Sequence, residues 1–225
     1  TTANDSSGNQ NSGTITIGAT VPQTSAGTCT AVDTATAWYN GRTGKFNSSL
    51  NFDGTDDYTS SPITTSNSLD IKGPITYSVW FKRASSSDAF HALISKLDTC
   101  AAAEADGFIV RFGTGNVLRF EGFKTGGVFS AIYTSSSLVA DTTNWHHAIG
   151  TWDGTTNANG AKLYIDGKLV AQATSTASDF ISLNGFSQYI GSLSCNAQYF
   201  SGQIDHVRVD NYAITPTQDK QLNNG

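Results

Sequence analysis

Apolar and polar residues alternate in short runs along most of the chain, and turn residues (Gly, Asn, Asp, Ser) separate the runs. Period-two alternation over four to eight residues marks half-buried β-strands, whereas the 3.6-residue period of an amphipathic helix is almost absent. The pattern predicts strands at 13–20, 49–53, 56–61, 74–83, 91–97, 107–112, 117–123, 128–134, 145–152, 161–165, 168–174, 188–193 and 199–212, after an irregular N-terminal segment 1–12. Two Asp-Gly pairs, Asp166-Gly167 and Asp53-Gly54, stand where a two-residue type I′ hairpin needs positive φ at its central residues. Within 74–83, Ile75, Tyr77, Val79 and Phe81 share one face and belong in a core, while Thr76, Ser78 and Trp80 share the other. Trp80 then lines a concave outer face or lies beneath a loop. Helix is expected only in the tail, where Thr215 caps a turn and Pro216 takes its first position. So many strands without an internal repeat or linker predict one domain over residues 1–225, an all-β sandwich of two antiparallel sheets.

Composition narrows the function. Only 14% of the 225 residues are charged, but 12 Phe, 8 Tyr and 4 Trp supply the apolar mass of a folded core. The formal net charge of −5 comes without any Lys/Arg cluster, which argues against a nucleic-acid groove or an anionic-membrane patch. No apolar run reaches the roughly 20 residues of a membrane-spanning helix. The chain starts at Thr1 and has no Met, as a mature secreted product or excised domain would. Cys29, Cys100 and Cys195 lack metal-ligand spacing. Their number leaves two readings open, one disulfide with a spare thiol or three free thiols.

The order of motifs carries a resemblance. Ser49-Leu-Asn-Phe-Asp-Gly-Thr-Asp-Asp-Tyr58 is followed by Ile75-Thr-Tyr-Ser-Val-Trp-Phe-Lys82, Trp145-His-His and Gly150-Thr-Trp-Asp-Gly154. Then come Leu163-Tyr-Ile-Asp-Gly-Lys-Leu-Val170, Tyr189-Ile-Gly191 and Phe200-Ser-Gly-Gln-Ile-Asp-His-Val-Arg-Val209. In this order they resemble the laminin-G-like jelly rolls of the concanavalin-A-like superfamily, in the branch that holds pentraxins. Most of these residues read as fold determinants. The carboxylates of 53–57 suit a strand junction, Trp145 and Trp152 suit the core, and His146 and His147 face opposite sides of one strand.

The resemblance implies a binding role centred on rim loops. It maps ligand contacts to Asp98, Glu104 and Asp106 in the loop 97–106, and to Asn196, Gln198 and Tyr199 in and after 192–198. It also sets Cys100 against Cys195 as a disulfide across that rim. Calcium is the cofactor it allows, held by Asp98 and Asp106, or structurally at Asp53 or Asp205; it needs six to eight oxygens, and the second loop offers amides where pentraxins offer acids. Tyr199, Phe186, Trp80 and Tyr133 are the aromatic candidates for stacking on sugar. Catalysis is not expected. The superfamily's glucanases carry Glu-x-Asp-x-x-Glu on one strand, whereas this chain has two glutamates, Glu104 and Glu121, far apart, and no Gly-x-Ser-x-Gly elbow. The expectation is a secreted or cell-surface module recognising carbohydrate or a glycosylated surface. A self-associating subunit of a surface filament is the alternative, and a glycoside hydrolase the third reading.

Overall fold

The structure is a computed structural model that describes residues 2–20, 23–28, 33–62, 68–85, 90–99, 105–114, 117–124, 129–134, 141–180, 182–193, 197–215 and 217–218. Its strands are β1 (Thr2–Ala3), β2 (Gly13–Thr16), β3 (Leu50–Asp53), β4 (Tyr58–Ser60), β5 (Ile75–Arg83), β6 (His91–Leu97) and β7 (Gly107–Gly113). The series continues with β8 (Val117–Phe123), β9 (Phe129–Thr134), β10 (His146–Trp152), β11 (Ala161–Ile165), β12 (Lys168–Ala173), β13 (Tyr189–Ile190) and β14 (Ser201–Asp210). Eight strands form one sheet in the order β1-β2-β4-β13-β6-β7-β8-β9, and six form the other, β12-β11-β10-β5-β14-β3; every pairing is antiparallel. The expected two-sheet sandwich is what the chain adopts.

The registers turn alternation into a core. Across the eight-stranded sheet, Ala131, Phe120, Val110, Ile94, Ile190, Thr59 and Ile15 lie opposite one another in a single row. Nearly all of that row is apolar, and it faces the other sheet. From β5, Ile75, Tyr77, Val79 and Phe81 meet it as expected, joined by Ala148 and Trp152 of β10. Trp152 is fully buried among Phe108, Phe129 and Phe180, its ring centroid 5.0–6.0 Å from theirs. Its indole N–H donates to the Thr155 carbonyl at 3.1 Å, so no polar atom is stranded by that burial.

Turn chemistry explains where strands stop. Asp166 and Gly167, at φ 50° and 73°, join β11 to β12 as a tight hairpin. Asp53-Gly54 does not make the hairpin its sequence suggests. β3 and β4 belong to different sheets, so the segment is a corner between layers. Its carboxylates are spent on that corner: Asp53 Oδ1 accepts from the Thr55 amide, and Asp57 accepts from the Asp53 and Gly18 amides. The same bond to Gly18 pulls the chain out of the sheet, ending β2 at Thr16 rather than at residue 20. The N-terminal segment is not wholly irregular, because Thr2–Ala3 pairs with β2. A further departure is a short helix, α1 (Ala37–Asn40), capped by the Thr36 hydroxyl. In the tail, Thr215 and Gln218 cap one another reciprocally, as the expected helical turn requires.

Candidate functional site

The face of the eight-stranded sheet that points away from the core carries a second row in register: Ser130, Glu121, Ile109, Ser95, Tyr189, Ser60, Thr14 and Thr2. Its composition is the inverse of the core row. The segment before β14 folds over the middle of this face, where Leu193 packs with Ala92, Leu97 and Ile109, and Ser95 donates to the Ser192 carbonyl. Two flanks of the face remain outside that cover.

On one flank three tyrosines gather. Tyr58 and Tyr189 lie with ring centroids 5.6 Å apart, each half-buried. Tyr199 comes from the loop ahead of β14. Burial raises its pKa most, and the charges of Tyr58 and Asp56 add to the rise. On the other flank Glu121 accepts from Arg111 Nε at 2.7 Å and from the Ser130 hydroxyl at 3.0 Å, with Arg119 3.6 Å away. Arg111 also reaches the Gln198 side-chain oxygen at 3.3 Å and lies 4.9 Å over the Phe90 ring. Both oxygens of Glu121 are thus engaged in positioning contacts, an arrangement unlike a free general acid.

The Asp53–Asp57 corner borders the tyrosine flank. Carboxylate oxygens of Asp53, Asp56 and Asp57 lie within 4.8 Å of one another. Asp57 is fully buried; desolvation first, and then the charge of Asp53, push its pKa up to about 6. Asp53 Oδ2 and Asp56 Oδ1 are buried without any hydrogen-bond partner. Converging oxygens, stranded lone pairs and uncompensated negative charge are what a hard divalent cation relieves, so the donor set fits calcium. Asp205 lies outside this group: its Oδ2 accepts from the Phe46 amide at 2.8 Å and pins the loop 41–49.

Of the rim residues expected from sequence, Asp98 closes its loop by exchanging bonds with Asp106, accepting from that amide at 2.7 Å and donating to its carbonyl at 3.2 Å. Gln198 and Tyr199 join the two flanks just described. Glu104, Asn196 and the three cysteines, with the Cys100–Cys195 disulfide, lie outside the described residues. Trp80 takes the second of its two expected places. It is buried beneath Lys45, whose Nζ sits 4.2 Å from the ring, and stacks on His147 at 4.7 Å. Tyr133 packs against the core. Phe186 is exposed, and its carbonyl accepts from buried Lys96 at 2.8 Å. Sequence reasoning overlooked Tyr58, Tyr189, Arg111 and Arg119. Arg111 and Arg119 do break apolar strands at positions alternating with core residues, but Tyr58 and Tyr189 sit in strands too short to show a period.

The two histidines do separate by face. His147 is buried, its Nε2 2.8 Å from the Ser78 hydroxyl. The pair lies buried against Trp80, which stacks on the His147 ring. His146 is clamped between Asp166, 2.8 Å from Nδ1, and Asp141, 3.3 Å from Nε2. The Asp166 bond, opposed by desolvation and aided by both carboxylate charges, raises the His146 pKa. A raised folded pKa stabilises the fold fully below the unfolded value of about 6.5, and that stability is lost as pH rises through the folded value. With calcium in excess, Tm is therefore expected to fall as pH climbs above about 6.5, and H146Q to flatten that part of the profile.

A laminin-G-type family model, described as the concanavalin A-like lectin/glucanases superfamily, matches residues 53–218. No curated protein matches the chain. Among solved structures, the binding domain of botulinum neurotoxin serotype G superposes with TM-score 0.59 at 13% identity, covering 79% of this chain and 42% of that one. A putative carbohydrate binding protein from Bacteroides ovatus gives 0.56 at 20%, covering 77% and 46%. Domain 4 of AbnA, a GH43 extracellular arabinanase from Geobacillus stearothermophilus in complex with arabinotriose, gives 0.53 at 19%, covering 80% and 78%. This chain thus spans under half the length of the first two. At these identities the likeness is one of fold.

Proposed function

The chain belongs to the concanavalin A-like lectin/glucanase superfamily, and on that premise we propose that it is a non-catalytic module, secreted or surface-displayed, that binds carbohydrate or a glycosylated surface. The observation that carries this reading is the tyrosine cluster on the outer face of the large sheet. Tyr58 and Tyr189 are held in contact by strand register. Rigid aromatic faces beside hydroxyls and a carboxylate are the chemistry that receives a sugar, whose C–H face stacks while its hydroxyls take hydrogen bonds. The reading is supported by the neighbours described as carbohydrate-binding or as holding arabinotriose. Calcium has its place in the same reading. Asp53, Asp56 and Asp57 would hold it, and there it would fix the corner that presents Tyr58.

Glycan-array binding of the purified chain, with calcium and again after chelation, tests the proposal. Selective binding is expected, and Y58A and Y189A should each weaken it about 10-fold or more while the melting transition stays cooperative. Y58F, which keeps the ring, should bind like the parent. Binding to no glycan, or alanine variants that bind as well as the parent, would remove the basis for the proposal.

A further inference from the structure

The opposite flank of the same outer face holds a cation that makes no hydrogen bond to a described residue. Arg119 stands on β8 between Arg111 and exposed Ile132, the residues opposite it in the flanking strands. Its nearest charge is Glu121, but at 3.6 Å that contact lies outside hydrogen-bond range. Glu121 is already matched by Arg111 at 2.7 Å on one oxygen and by the Ser130 hydroxyl on the other. Among the described residues two guanidiniums thus share one carboxylate, and Arg119 is the surplus charge. Its Nε is buried without a partner, and no nitrogen of its guanidinium makes a hydrogen bond to a described residue. Its side chain nevertheless keeps a quarter of its surface open, at 25% against 7% for Glu121.

Arg119 lies against the end of β7. A Cβ on Gly113 would sit 2.8 Å from Arg119 Nε and 3.4 Å from Cζ, so the glycine leaves room for the guanidinium there. A planar fork of donors with no acceptor among the described residues suits a bidentate partner of its own shape, a carboxylate. In a chain of net charge −5, a surplus cation on an otherwise neutral polar face is a local exception that long-range attraction does not explain.

We propose that Arg119 makes this flank a subsite for the carboxylate of an acidic sugar, a uronate or sialate unit. The inference rests on the reading that the outer face takes saccharide, and it adds the class of saccharide. Arg119 would anchor the carboxylate and Ser130 would take a neighbouring hydroxyl. Exposed Ile132, opposite Arg119 in β9, would give the ring an apolar edge.

The test titrates the full chain with oligogalacturonate and with its methyl ester, and in parallel with sialyllactose and lactose. At least one acidic ligand is expected to bind 10-fold or more tightly than its neutral partner. That ratio should shrink in high salt and collapse toward one in R119Q, while R119K keeps part of it. Melting curves of R119Q and R119K guard against misfolding, and the parent chain's own acid-to-neutral ratio tests the idea without any variant. Equal binding of acidic and neutral sugars by the parent, or an R119Q chain that keeps the preference, would overturn this subsite and leave the general reading standing. Binding to none of the four would overturn this subsite, while the general reading is decided by the glycan array.

Discussion

Trp152→Ala is expected to cost about 4 kcal/mol of stability, in the range of Trp-to-Ala truncations in cores. Trp152 is the largest of the fully buried side chains, and it touches the aromatic rings of Phe108 and Phe129 from the facing sheet as well as Phe180. Removing it empties the space between the two layers and leaves those rings without their common neighbour. The loss also frees the Thr155 carbonyl from its indole partner at 3.1 Å. For a domain of this size 4 kcal/mol lowers Tm by roughly 10 °C and uses up a large part of a typical total of about 5–15 kcal/mol. Urea melts of W152A and W152F read the effect directly. W152F should recover part of the loss, because the hydrophobic contact returns while the indole N–H does not. A W152A chain as stable as the parent would mean that this tryptophan is not the packing centre between the sheets.

The same residue illustrates why the fold was legible. Trp152, Ile75, Tyr77 and Phe81 occupy alternate positions in strands, and burial follows directly from that period. Asp166-Gly167 was equally readable, because a hairpin turn is a local matter of φ. Asp53-Gly54 was not. The same dipeptide ends a strand there too, but whether the next strand returns to the same sheet depends on partners far along the chain, among them Gly18 and Gln23 on Asp57. The candidate site was less legible still. Tyr58 and Tyr189 are far apart in sequence, and only the registers of β4 and β13 bring their rings together. The sequence marks Tyr199 and Gln198 as rim residues. Arg111, which reaches Gln198, and Arg119 read only as strand residues, since a lone arginine in an apolar run carries no motif.

Calcium is expected to reverse the sign of the pH dependence of stability around the Asp57 corner. Asp57 is buried beside Asp53, and its pKa rises from the usual carboxylate value to about 6. Between about pH 4 and 6 the folded chain without metal therefore binds more protons than the unfolded chain. Ionising Asp57 costs stability as pH rises through that window, by about 3 kcal/mol in total. In chelator, then, acidification from pH 7 toward 5 should raise Tm. A calcium ion would bind the ionised carboxylates of Asp53, Asp56 and Asp57 and offset the repulsion. At a free concentration 100 times its Kd it adds about 2.7 kcal/mol, some 5–10 °C in Tm. Acidification now removes the metal by protonating its ligands, so Tm should fall over the same window. His146 contributes equally in both buffers and cancels in their difference. D53N removes both a ligand and the charge next to Asp57, so it should abolish the calcium shift and flatten the chelator profile in part, since the desolvation of Asp57 remains. Identical melting curves in millimolar calcium and in chelator across pH 5 to 7 would show instead that the corner is held by its amide bonds alone.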